Sequence, residues 1–154
     1  MLNRLVVFAL DAQMYALPLA SVRQVVRMVE VTPLPKAPEI VLGVIDVQGN
    51  IVPVMSMRKR FGHSEPETSL SGQLIVADTA NRNVALVVSS VTGVIERRVE
   101  EIAEAEKIVP GAQYVEGITK LEGGILFIHD VDRFLSKKED QRLDDLLAQA
   151  AGRK

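Results

Sequence analysis

The side chains that could make this chain an enzyme are two histidines, His63 and His129, and the serines Ser21, Ser89 and Ser90; none stands in a pattern that activates it. His129 precedes Asp130 and Asp132, but a metal centre needs several convergent ligands, and an acid–base histidine needs an orienting partner. Asp130 as a helix N-cap and Asp132 in the first turn account for the pair through the helix dipole. The serines lack a Gly-x-Ser-x-Gly turn, and no glycine-rich loop precedes a helix to cradle phosphate. Cysteine is absent, so disulfides, thiolate metal sites and cysteine nucleophiles are excluded, in keeping with a reducing compartment. Arg58-Lys59-Arg60 and Arg97-Arg98 are short basic clusters. With 18 basic and 20 acidic residues over the chain, they read as solvated faces rather than RNA contacts. The expectation is a non-enzymatic protein with no metal and no cofactor, whose work is recognition.

The elements that would position a recognition surface follow from the apolar pattern. The 154 residues suffice for one domain or two small subdomains. Hydrophobic residues make up 47% but aromatics only 4%, so the core is aliphatic and favours strands. The N-terminus lacks a signal-peptide plan, and no apolar run approaches the roughly 18 residues of a membrane span; a cytoplasmic location is expected. Leu5–Leu10 and Met14–Leu19 flank a polar turn and read as a hairpin. Ala20–Val26 reads as a short helical turn entering a strand, and the prolines of Thr32–Pro38 make a stiff connector. Two strand-length runs on either side of Gln48-Gly49-Asn50 predict a second hairpin, with Gly-Asn as the turn signal. Pro53 in its second arm points to an edge strand or an outward-facing missing donor. Ser56–Phe61 reads as a helical turn, and 63–72 as a linker.

Beyond the linker, Leu74–Ala77 with Val84–Val88, and Tyr114–Leu121 with Ile125–His129, predict two more hairpins. Val99 and Ile102 anchor a charged stretch between them, and Pro110-Gly111 marks a turn. From Asp130 onward, Val131, Phe134, Leu135, Leu143, Leu146, Leu147 and Ala150 fall at helical spacing, predicting a helix over 130–150 with a break near Ser136–Asp140.

The two halves repeat. Tyr15–Val26 aligns without gaps on Val84–Ile95, sharing alanine, leucine, serine and valines, and Gly43–Val52 aligns on Gly117–Leu126 with both glycines and the post-turn isoleucine in place. Each unit has the size of a small SH3-like barrel. The prediction is an all-β fold with a C-terminal helix: two pseudo-repeated five-stranded barrels, the first mainly 14–62 and the second mainly 73–129, with the strand over 4–10 compatible with either.

Residues 5–61 and 73–135 resemble the CheW-like domain, the chemotaxis coupling fold. The match lies in Leu-Val-Val-Phe-Ala-Leu, Ala-Leu-Pro-Leu-Ala-Ser-Val-Arg-Gln-Val-Val, Pro33–Pro38, Gly43–Arg58, Ala85–Ile95 and Gly117–Leu135. Its most specific block, Gly43–Arg58, is similar to the family's Gly-Val-Ile-Asn-Leu-Arg-Gly-x-Ile-x-Pro-Val-x-Asp-Leu-Arg. The resemblance implies a single CheW-like domain over 1–154, a free-standing cytoplasmic scaffold at receptor arrays. It would couple the regulatory domain of a CheA-type histidine kinase to the tip of methyl-accepting chemotaxis receptors, without binding nucleic acid or inserting into membrane. It implies a receptor groove involving Val22, Gly43, Gln48, Val91 and Val94, and a kinase interface involving Gln24 and Val25. From the residues alone, Val22 and Val91 read equally as core valines or as lining of a seam between barrels. An SH3-like module that binds a small ligand or peptide outside chemotaxis is the alternative.

Three charges of the family pattern are missing. The hairpin arginine is Gln48, the acid before Leu-Arg is Ser56, and the acid after Val-Val of the second hairpin is Ser89. Glutamine cannot keep a guanidinium's bidentate pair with a carboxylate. The expectation is that one electrostatic cluster at the coupling surface has become neutral and changes which partner is recognised; the alternative is that Gln48 keeps a turn bond and nothing else changes.

Overall fold

The computed structural model describes residues 2–61, 72–104 and 115–152. Aliphatic runs of six to nine residues form most of the strands: β1 (Leu2–Leu10), β2 (Gln13–Pro18), β3 (Val22–Arg27), β4 (Val41–Val47), β5 (Asn50–Met55), β6 (Gln73–Asp78), β7 (Asn83–Val88), β8 (Ser90–Arg98), the two-residue β9 (Ala103–Glu104), β10 (Val115–Leu121) and β11 (Gly124–His129). Two α-helices, α1 (Met57–Arg60) and α2 (Lys137–Gly152), and three 3-10 turns, Leu19–Ser21, Val99–Glu101 and Val131–Arg133, complete the described elements. The expected linker, with His63, lies outside the described residues except for Gly72, as do Pro110, Gly111 and Tyr114.

The strands form two sheets, ordered β3-β6-β7-β5-β4 and β8-β1-β2-β11-β10-β9. The expected all-β architecture with a C-terminal helix is present. The division into barrels by contiguous halves, 14–62 and 73–129, is corrected. Hairpin β6–β7 completes the sheet of β3, β4 and β5, while β1, β2 and β8 share the sheet of β10 and β11. The repeat explains the exchange, because each half gives its leading hairpin to one sheet and its remaining strands to the other. The registers repeat too: the irregularity at Val22/Gln24 against β6 recurs at Val7/Phe8, where β1 meets Gly93 and Val91. That at Val41/Gly43 recurs at Val115/Gly117.

Two turns differ from their sequence readings. The β4–β5 register pairs Val47 with Asn50, so the loop is Gln48-Gly49 and not Gly-Asn. Both loop residues take positive φ, 52° and 88°, the geometry whose twist suits a two-residue hairpin. Asp46 Oδ1 accepts the Gly49 N–H at 2.7 Å. β5 is an interior strand, and Pro53 is tolerated there because the parallel pairing with β7 begins one residue later, at Val54 and Met55.

Three clusters make up the core. Ile45, Val52, Val54, Leu74, Ala85 and Val87 fill the five-stranded sheet, and Leu5, Val7, Ala16, Leu126 and Ile128 occupy matching positions in the other. A third cluster, including Phe8, Leu17, Met55, Ile75, Leu86, Phe134 and Leu143, takes residues from both sheets and is the shared seam.

The helix starts later than 130. Asp130 caps a 3-10 turn at Val131–Arg133, accepting from Asp132 N, and α2 begins at Lys137 behind a capping box: Ser136 Oγ accepts from Glu139 N, and Glu139 Oε1 accepts from Ser136 N. Glu139 also accepts from Arg60 Nη2 at 2.6 Å, which ties α2 to α1. Burial pushes the Glu139 carboxyl up, but the bonds from Arg60 and Ser136, with the Arg60 charge, outweigh it and hold the carboxyl below the usual carboxylate range. A depressed folded pKa stabilises the structure above the ordinary glutamate value of about 4.3, and that stability is lost as pH falls through the lower folded value. Amide protection in the first turns of α2 is therefore expected to decline below about pH 4. Hydrogen exchange against pH would show it, and Glu139→Gln should flatten the profile.

Candidate docking surfaces

The hairpin tip of β4–β5 and the irregular start of β3 meet over the five-stranded sheet and enclose a cleft of about 400 Å³. It is lined by Arg23, Gln24, Val47, Gln48, Asn50, Val52, Val76 and Asn83. Gln24 and Gln48, expected to serve different partners, thus share one site. Its walls carry four carboxamides, which both donate and accept, and one guanidinium. That guanidinium is engaged. Arg23 Nε lies 3.6 Å from Asp78 Oδ1; Asn83, with its amide turned to satisfy both neighbours, donates to Asp78 and accepts from Arg23 Nη1 at 3.2 Å.

Val25 faces away from the cleft on β3, 38% exposed, on a strand that ends the sheet. Val94 takes the matching place on β8, which ends the other sheet, and is 55% exposed. Val22 and Val91, the other matched pair, are half-buried and pack on the shared seam, so their side chains support the surface from beneath. Gly43 is buried. Thr32 crosses it to bond Val44 in both directions, Thr32 N to Val44 O at 2.9 Å and Val44 N to Thr32 O at 2.8 Å. A Cβ on Gly43 would lie 2.2 Å from Thr32 O, so the glycine admits the crossing chain and offers no side chain to a groove. Gly117 does the same for β9, which pairs beside it.

The three neutral replacements do not form one cluster. Gln48 is at the hairpin tip, whereas Ser56 lies beyond the far end of β5, about 20 Å along the strand. Ser56 caps α1, accepting from Lys59 N at 3.1 Å. Ser89 Oγ accepts from Asp11 N at 3.0 Å and from Arg58 Nη2 at 3.3 Å. The carboxylate for Arg58 comes from Asp11 instead, as a bidentate pair at 3.0 and 3.1 Å. The basic triplet is therefore not a solvated face. Arg58 is buried against the β1–β2 turn, Arg60 holds Glu139, and Lys59 Nζ reaches Glu39 O at 3.5 Å. Sequence reading missed these pairs because their acids lie far along the chain.

His129 is buried in an aromatic group, its ring centroid 5.0 Å from Tyr15, 5.3 Å from Phe61 and 5.6 Å from Phe134. Asp132 accepts from Ala80 N at 2.7 Å. Among the described residues, no group of three or more metal-ligating side chains converges, and no helix is long and apolar enough to cross a membrane.

A second groove, of about 840 Å³, opens on the six-stranded sheet between Leu2, Pro18, Leu19, Val99 and Ile102. Of the two expected anchors of the charged stretch, Ile102 packs against the Leu5–Ile128 cluster while also lining this groove, and Val99 lines it from an exposed position. Glu116 stands on it, and burial and then the Asp130 carboxylate push its pKa up, against the lowering charge of Arg133.

The family model for the CheW-like domain matches residues 4–139. Among curated proteins, a chemotaxis protein CheW of Treponema pallidum is 25% identical, over 93% of this chain and 88% of its own length. One of Thermotoga maritima is 27% identical, over 84% and 85%. The crystal structure of a scaffolding protein, TtCheW of Thermoanaerobacter tengcongensis, superposes with a TM-score of 0.81 at 28% identity, covering 90% of this chain and 96% of that one.

Proposed function

Because the chain belongs to the CheW-like domain family, we propose that it is a non-enzymatic scaffold coupling a CheA-type histidine kinase to methyl-accepting chemotaxis receptors, in the cytoplasm at receptor arrays. The observation that carries this reading is the agreement of the whole two-sheet architecture with a scaffolding protein of the family, rather than of one barrel alone. A module built only to hold a small ligand has no need of the second barrel, and the family match spans both.

The mechanism is positional. Two barrels locked through a common seam present outward faces at fixed separation, so a shift of one partner is passed to the other through a body that deforms little. The receptor is assigned to the cleft at Gln48 and to Val94, with Val22, Gly43 and Val91 shaping the surface behind them; the kinase regulatory domain is assigned to the outer face of β3 at Val25. Gln24, expected on the kinase side, lines the Gln48 cleft and is grouped with it.

Affinity purification from native cells tests the coupling: recovery of both a CheA-type kinase and a methyl-accepting receptor is expected, and recovery of neither would end the reading. The neutral cleft also makes a specificity prediction. Gln48→Arg places a second guanidinium beside Arg23 and should weaken the native receptor about tenfold, or roughly 1.4 kcal/mol. Titration calorimetry with the purified receptor tip would measure it, and unchanged affinity with no new partner captured would show that Gln48 serves the turn alone.

A further inference from the structure

The family match stops at residue 139, and α2 runs on to Gly152. This helix grips the turn between β6 and β7. Arg82 Nε donates to Asp140 Oδ1 at 2.9 Å, and its Nη2 donates to the Asp140 carbonyl at 3.3 Å and to Asp144 Oδ1. Asn81 Nδ2 donates to Asp140 Oδ2 at 2.6 Å, and just before the helix Asp132 takes the Ala80 N–H. Three consecutive turn residues are thus held by the C-terminal segment, and the Arg82 side chain is only 10% exposed.

The stem of that turn is the register pair Asp78 and Asn83. These are the residues that hold Arg23, and Arg23 and Asn83 both line the cleft beside Gln24 and Gln48. The Arg23–Asp78 pair is exposed, and an exposed pair defines a long side chain poorly unless its acceptors are themselves fixed. The turn closes on itself through Thr79 N to Arg82 O at 2.8 Å, so the position of Arg82 sets the spacing of the stem.

We propose that the C-terminal helix is a positioning element for the docking cleft: Asp140 and Asp144 fix Arg82, and through the Asp78–Asn83 stem they fix Arg23 at the cleft wall, so that receptor affinity depends on helix residues beyond the matched family domain. The proposal rests on the reading of the cleft as the receptor site. The carboxylates act through Arg82 and touch no partner.

The test uses the full chain carrying Asp140→Asn and Asp144→Asn together, with Asp145→Asn as a control that removes a helix charge outside the Arg82 contacts. Side-chain nitrogen NMR signals of Arg23, Gln24, Gln48 and Asn83 report the cleft without any partner, and calorimetry reports affinity for the receptor tip and the kinase regulatory domain. The double variant is expected to shift the Arg23 and Asn83 signals and weaken the receptor tip about fivefold while leaving the kinase domain within twofold. The charge exchange Arg82→Glu with Asp140→Arg should recover the receptor affinity that Arg82→Glu alone loses. Unshifted signals would overturn the proposal, as would equal weakening of both partners, which marks a general loss of structure. Shifted signals with unaltered receptor affinity overturn it too if Gln48→Arg does weaken the receptor. If neither Gln48→Arg nor the double variant alters receptor affinity, the assignment of the cleft itself falls and the proposal falls with it.

Discussion

Replacing Gly43 by alanine is expected to cost the fold about 3 kcal/mol and to lower the thermal midpoint by about 10 °C. The added methyl would stand 2.2 Å from Thr32 O and 2.8 Å from both Thr32 C and Val31 Cγ1, in a backbone with φ of 154°. Thr32 cannot retreat freely, because it is bonded to Val44 at both its N–H and its carbonyl. Relief requires breaking that bridge, which gives up two hydrogen bonds of about 1 kcal/mol each, or distorting β4. Two other glycines calibrate the effect. Gly49 has φ of 88° and nothing within 4 Å of a built Cβ, so Gly49→Ala carries only the conformational cost, about 1 kcal/mol. At Gly117 the nearest atom is Ile102 Cγ2 at 2.7 Å, a side chain that can rotate, and the cost should fall between the two. Thermal and urea unfolding of the three variants would order them, and a Gly43→Ala chain within 1 kcal/mol of the parent would refute the closure role of this glycine.

The hairpins were legible because each is a local event: two apolar runs and a turn signal lie within about 15 residues, and the repeat placed Gly43 and Gly117 at matching points. The partition of those hairpins between sheets was not. A strand's pattern records that one face is buried but not which neighbour it buries against, and β3 and β8 each leave the hairpin that precedes them for one from the other half. Gln48 shows a finer limit. Glycine was the obvious residue for positive φ, yet the register makes Gln48 and Gly49 the loop, so a non-glycine residue also adopts the left-handed conformation.

Charges were the least legible feature of the surface. Arg58, Lys59 and Arg60 are adjacent and looked like one solvated patch, but the acids that fix two of them, Asp11 and Glu139, come from the first turn and the last helix. The same long-range closure put Gln24 and Gln48 in one cleft and separated Gln48 from Ser56 and Ser89. Asp11 supplies the carboxylate that pairs with Arg58 beside the Ser89 hydroxyl, and nothing within Gly43–Arg58 pointed to it.

Val25→Asp is expected to weaken the kinase regulatory domain at least 30-fold, about 2 kcal/mol, while the receptor tip stays within twofold. The side chain is 38% exposed on an end strand, pointing away from the barrel interior, so a carboxylate there remains hydrated in the free protein and the fold should survive. In a complex that covers this face, the carboxylate would lose its water without gaining a designed partner, and that desolvation is the source of the loss. Val94 gives the decisive comparison. It occupies the matching position on β8, is more exposed, and sits opposite Val6 as Val25 sits opposite Ile75. If the internal repeat governed recognition, the two aspartate variants would weaken the same partner. The assignment expects opposite selectivity: Val25→Asp loses the kinase domain and Val94→Asp loses the receptor tip. Calorimetry on both variants with both partners would decide it. Parallel losses would mean that the duplicated barrels kept equivalent partners, and unaltered kinase affinity in Val25→Asp would move the kinase to another face.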